Sequence, residues 1–278
     1  MNEWAELPAL RRILVALDGD ESARAALDAA AGLAAALEAE LVGLYVEDAE
    51  LLQAADLPVT WSIPRQAGPR GAIDAAAMGR ALKVSAGEAG AAVAAAASRF
   101  RVKWSFEVRR GGVVEEVLNE ARGFDLLALG MSGEAMRRAR GEVTGGIMAM
   151  EAPGAVLLAR GAACSSGPLV VLYDGTDRVL ELGRRMAAAQ HRRLIVVAAG
   201  ADEARAAERA AEVAGWMREA GVRASLRKLV LGTPAAMCEA LGREYPGVLL
   251  IDRRGPIAAE IPLEGLVGEA ACSVLVLK

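Results

Sequence analysis

Short, continuous apolar runs alternate with longer alanine-rich stretches along this chain, and the alternation occurs twice. Residues 12 to 18 are apolar almost throughout, as a strand buried on both faces must be. Ala23 to Ala39 has strong helix formers and no proline, which predicts a helix capped by Asp20 or Ser22. Glu40 to Val46 returns to strand. Two strands joined through a helix by short connections form a parallel, right-handed unit. Residues 73 to 99 predict a long helix, Val102 to Val108 a strand, and Val113 to Arg122 an amphipathic helix opening after Gly111 and Gly112. Leu126 to Leu129 predicts another buried strand. It leads into Gly130, Gly133, a basic loop and a helix start near Thr144, and Ala155 to Arg160 predicts a fifth strand.

Gly161 to Pro168 is small and polar, as a linker would be. After it the order repeats. Leu169 to Asp174 predicts a strand, Arg178 to Gln190 a helix and Leu194 to Ala199 a strand. Asp202 to Ala220 predicts a helix and Val222 to Val230 a strand, and Gly232 opens a further helix. Val248 to Asp252 and the run ending at Lys278 predict the last strands. Two copies of one five-stranded unit make up the predicted architecture, with domains at 1–160 and 169–278 joined by 161–168. The second copy lacks the excursion at 47–72, which carries Trp61 and several prolines and suits an interface arm or a surface flap, with a lid as the alternative.

Composition narrows the function. Of 278 residues 54% are apolar, so a core is easily filled, while only 4% are aromatic, too few for base-stacking platforms. A net charge of −4 gives no pull towards nucleic acid or anionic membrane. The three cysteines, Cys164, Cys238 and Cys272, lie far apart, and the N-terminal stretch has no basic-then-apolar signal. Both features suit a cytoplasmic chain. His191 is the single histidine, at an expected helix end, which leaves little room for a Ser–His–Asp triad or a histidine-ligated metal.

The motifs at 13–22, 44–46, 125–133 and 152–158 resemble the universal stress protein family, and the whole chain resembles its tandem-domain members. The resemblance implies an α/β fold of two doubly wound parallel five-stranded sheets, of the adenine-nucleotide alpha-hydrolase-like kind, packed as a pseudo-dimer within one chain. It implies ligand at the carboxyl ends of the strands. The nucleotide-binding branch carries Gly-x2-Gly-x9-Gly-(Ser/Thr), and Gly130 and Gly133 match its first two glycines. The third part departs: nine onward lies Val143-Thr144, and a shorter loop reaches Gly141 followed by Glu142.

By resemblance, Asp18 meets adenosine, Val46 offers backbone contacts to adenine, and Gly141, Val143, Thr144 and Gly145 hold phosphate. The ligand implied is ATP or another adenine nucleotide. Arg137, Arg138 and Arg140 could offset Glu142. Asp18 and Glu142 could hold magnesium, although nothing in their spacing singles them out.

The second half has Asp252 where Gly130 stood, and Pro256 removes a backbone donor, so no nucleotide is expected there. Asp252, followed by two arginines, reads as a local ion pair. Val156 to Leu158 and Val274 to Leu277 are apolar edge strands that can pair within the chain; a further homodimer stays open. The expected function is a non-catalytic binding and signalling module in stress response. A nucleotide-free interaction scaffold is the alternative, and a slow ATPase the third choice, because no general base, Walker-type Gly-Lys-Ser/Thr or Ser-Gly-Gly loop accompanies the glycines.

Overall fold

The computed structural model describes residues 10–18, 20–56, 61–62, 71–72, 75–131, 151–161, 167–244 and 246–278. The first half runs β1 (Arg12–Leu17), α1 (Glu21–Leu37), β2 (Glu40–Asp48), α2 (Ala49–Asp56), β3 (Trp61–Ser62), β4 (Gly71–Ala72) and α3 (Ala75–Phe100). It continues with β5 (Trp104–Gly111), α4 (Val113–Ala121), β6 (Leu126–Gly130) and β7 (Ala155–Ala159). The second half begins with β8 (Leu169–Tyr173), α5 (Asp177–Ala189), β9 (Leu194–Gly200), α6 (Glu203–Glu219) and β10 (Ser225–Val230). It ends with α7 (Pro234–Gly242), β11 (Val248–Asp252), α8 (Pro256–Glu260), α9 (Leu263–Glu269) and β12 (Ser273–Leu277).

Ten strands form one sheet in the order β10-β9-β8-β11-β12-β7-β6-β1-β2-β5. Each half contributes five parallel strands in the same order. The halves join where β12 pairs β7 antiparallel, with Val274 opposite Leu158, Leu275 opposite Leu157 and Val276 opposite Val156. These apolar edges would template association if left open; here each covers the other. Helices cover both faces, so strands such as β8 and β11 are buried at every residue.

Each face carries one apolar core running through both halves. One joins Leu27 and Ala30 of α1 and Val93 of α3 to Leu180 of α5 and Trp216 of α6. The other joins Val117 of α4 to Met237 of α7 and Leu266 of α9. The junction is also tied at its ends. Arg160, just after β7, donates to the carbonyls of Val267 and Gly268 at the end of α9. Lys278, just after β12, donates to the Ala152 carbonyl of the other half. Arg160 thus meets carbonyls at a helix end, where the dipole favours positive charge.

The excursion after β2 is partly regular. The strand runs on to Asp48, whose carboxylate accepts from the amides of Glu50 and Leu51 to start α2, and α2 packs on α3 and β5. Two short helices, α8 and α9, stand between β11 and β12 where the repeated unit implies one helix.

Candidate functional site

In an open parallel sheet, ligands bind outside the carboxyl ends of the strands, where the strand order reverses. The first half reverses between β1 and β6, the second between β8 and β11. Since β7 and β12 run antiparallel, the two crevices open at opposite ends of the sheet.

At the first crevice, Asp18 follows β1 and its side chain is exposed to solvent. Its Oδ1 accepts the Asp20 amide at 3.0 Å, which turns the chain, and Asp20 then caps α1 by accepting from the Glu21 amide at 2.7 Å. Val46, half-buried, follows Tyr45, which lies level with Leu17. Tyr45 is buried and hydrogen-bonded to Ser85; burial pushes its hydroxyl pKa up, and Glu47 and Asp18 add to the rise. Gly130 ends β6, and a Cβ there would lie 2.5 Å from the carbonyl carbon and oxygen of Ser22. Backbone cannot yield that much, so glycine is required for α1 to begin against β6. Asp18, Val46 and Gly130 thus come together at one strand-end crevice. Gly133, Gly141, Val143, Thr144 and Gly145, with Arg137, Arg138, Arg140 and Glu142, lie outside the described residues.

The equivalent crevice in the second half is filled by its own side chains. Asp174, in the place of Asp18, is 2% exposed. Its Oδ2 accepts the Ile257 amide at 3.1 Å and its Oδ1 accepts the Thr176 hydroxyl at 2.9 Å. A Cβ on Gly255 would lie 1.9 Å from that Oδ2, so the carboxylate occupies the space beside the glycine turn. Desolvation pushes the Asp174 pKa up; the two hydrogen bonds and nearby Arg209 hold the rise back.

Asp252, in the place of Gly130, is fully buried and pairs with Arg178 at 2.7 Å. Both its oxygens take part, and Oδ1 also accepts the Arg254 amide at 2.8 Å. This corrects the expected local pair with a flanking arginine. The partner, Arg178, reaches across from α5. Repeat alignment carried the signal: Arg178 stands four residues after Asp174, as Ser22 stands four after Asp18. A carboxylate gained at one position is matched by a cation at the facing one.

Beside this crevice, Tyr173, Gly175, Asp177, Leu180, Glu212, Gly215, Trp216 and Glu219 line a hollow of about 380 Å³. The Tyr173 hydroxyl donates to Glu212 at 3.0 Å. Burial, then the neighbouring Glu212, push the Asp177 pKa up. Three carboxylates make this hollow hostile to phosphate. No group of three His, Cys, Asp or Glu side chains among the described residues could hold a metal ion, and no described helix is long and apolar enough to cross a membrane.

The sequence model of a family described as "Universal stress protein family" matches residues 9–159. No curated protein matches the chain. Among solved structures, a universal stress protein from Archaeoglobus fulgidus DSM 4304 superposes with a TM-score of 0.67 at 16% identity, covering 96% of each chain. A functionally unknown protein from Pseudomonas aeruginosa PAO1 gives 0.58 at 18% identity, covering 97% of this chain and 93% of that one. At such identities the likeness is one of fold.

Proposed function

Because the chain belongs to the universal stress protein family, we propose that residues 1–160 hold ATP or another adenine nucleotide at the β1–β6 crevice. In this reading residues 161–168 are a linker and 169–278 a domain that no longer binds nucleotide. The protein acts as a binding and signalling module in the cytoplasm under stress, rather than as a catalyst. One contrast carries the reading: Asp18 is exposed and free to meet a ligand, whereas Asp174 is buried and already bonded to Ile257 and Thr176. The ion pair of Asp252 with Arg178 fills the rest of the second crevice, and the neighbouring hollow is acidic.

Nucleotide would contact Asp18, Val46 and Gly130 with Gly133, and the phosphates would meet Gly141, Val143, Thr144 and Gly145, helped by the basic loop. Glu142 at the hydroxyl position of the motif favours a second reading, a nucleotide-free scaffold working through its surfaces. Calorimetric titration with ATP and magnesium separates the two. The binding reading expects one nucleotide per chain, weakened by Asp18→Ala and unchanged in stoichiometry by Asp174→Ala. Heatless titration of the wild-type protein, or equal loss in both variants, would overturn it.

A further inference from the structure

Among the described residues, joining β7 to β12 leaves β5 and β10 as the two outer strands, with no further strand paired to either. The described large apolar side chains that stay exposed gather at one of them. Leu51 of α2, Val84 of α3, and Trp104 and Val108 of β5 belong to the elements that build the first edge, against Val230 alone at the other. We infer that a second copy of this chain docks on β5, antiparallel to it, about a twofold axis through Val108.

The register follows from the backbone. The Leu41 amide of β2 donates to the Lys103 carbonyl at 2.9 Å, so odd-numbered residues of this segment turn their backbone groups inwards. Those of Trp104, Phe106, Val108 and Arg110 point outwards, unpaired within the sheet. Two copies can bond only through these even positions. An axis at Glu107 would set that carboxylate against itself, and an axis at Phe106 would set Arg109 against Lys103. The axis at Val108 places Glu107 opposite Arg109 of the second copy, twice, and Val108 against Val108. Like charges directly opposite are unfavourable and opposite ones favourable, so among the axes near the middle of Trp104–Gly111, where the two strands overlap most, charge selects this register.

Within one chain Glu107 and Arg109 already sit on one face, 2.7 Å apart, with Glu120 at 2.6 Å from Arg109, so docking extends an existing network. β10 offers no such match, because its only charged residues, Arg227 and Lys228, are both basic. Pairing β5 with β10 of another copy would be head-to-tail and open-ended, whereas β5 with β5 closes.

Light scattering on the eluting peak across a dilution series tests this. The wild-type protein is expected at twice the chain mass of 28.8 kDa. Glu107→Arg and Arg109→Glu each place like charges opposite one another, and each should run at the single-chain mass. An equimolar mixture of these two variants should return to the doubled mass, since every cross-strand pair in the mixed dimer is again opposite in sign. Val108→Glu, with two carboxylates at the axis, should stay single. Thermal melts establish that each variant is folded. A wild-type protein at single-chain mass throughout, variants that dimerise as the wild type does, or a mixture that stays single would each overturn the assignment.

Discussion

Replacing Asp174 by alanine tests the account of the second crevice where it is most exposed to failure. The carboxylate accepts from the Ile257 amide and the Thr176 hydroxyl, and its site is almost closed to water. A buried donor left without its acceptor costs ~1–3 kcal/mol. The Thr176 hydroxyl can turn to another acceptor, whereas the Ile257 amide cannot, so the variant should lose ~1–3 kcal/mol in all. For a chain of this size that lowers the thermal midpoint by roughly 2–5 °C. Asp18→Ala removes an exposed group with one local bond and should stay within about 0.5 kcal/mol of wild type.

Gly255→Ala should also destabilise, because its Cβ would collide with the Asp174 carboxylate. In the Asp174→Ala background that collision is gone, so the double variant should cost less than the sum of the two. The pH dependence has a definite sign. Burial raises the folded-state pKa of Asp174 above the ordinary 3.8, so the folded state binds the proton more tightly. Between 3.8 and the raised value, this group's contribution to stability therefore falls as pH rises, and above the raised value it is constant. The stability of wild type relative to Asp174→Asn, from denaturant melts at several pH values, should decline through that window. An unchanged midpoint in Asp174→Ala, or additivity with Gly255→Ala, would refute the reasoning.

Gly130→Ala forces a methyl against the Ser22 carbonyl and should cost ~1–3 kcal/mol in a urea melt. Arg178→Met strands the fully buried Asp252 carboxylate without its cation, a loss of ~3–5 kcal/mol; removing both partners together as Arg178→Met with Asp252→Leu should recover much of it. Lys278 titrates near about 8 rather than 10.5 because it is desolvated and then opposed by Arg253. Its folded pKa is lowered, so the unfolded chain binds more protons between about 8 and 10.5. Wild type should accordingly gain stability relative to Lys278→Met as pH rises through that range.

Much of the fold is legible in the sequence because buried parallel strands announce themselves as unbroken apolar runs. Ile13 to Leu17 and Val248 to Ile251 are strands for that reason, and Val156 to Leu158 opposite Val274 to Val276 forms the junction that their apolar edges invite. The repeated unit implies a helix between the last two strands, but not that it opens at Pro256, whose missing amide costs nothing at the first turn. Helix α9 is only Leu263–Glu269, too short for its period to stand out. At the site, the losses at Asp252 and Pro256 were visible as changed residue types. What replaced the ligand was not, because a contact between Asp174 and Ile257 spans 83 positions and leaves no local pattern. The partner of Asp252, Arg178, lies 74 residues away, so only an alignment of the two halves points to it.

The most direct test of the central claim, a single live nucleotide site in the first half, is to purify the protein without added nucleotide, denature it, and chromatograph what is released. The account predicts an adenine nucleotide at about one per chain, or, from a protein stripped of ligand, one equivalent taken up on adding ATP and magnesium. Two per chain would contradict the filled second crevice. None released and none taken up would contradict nucleotide binding altogether.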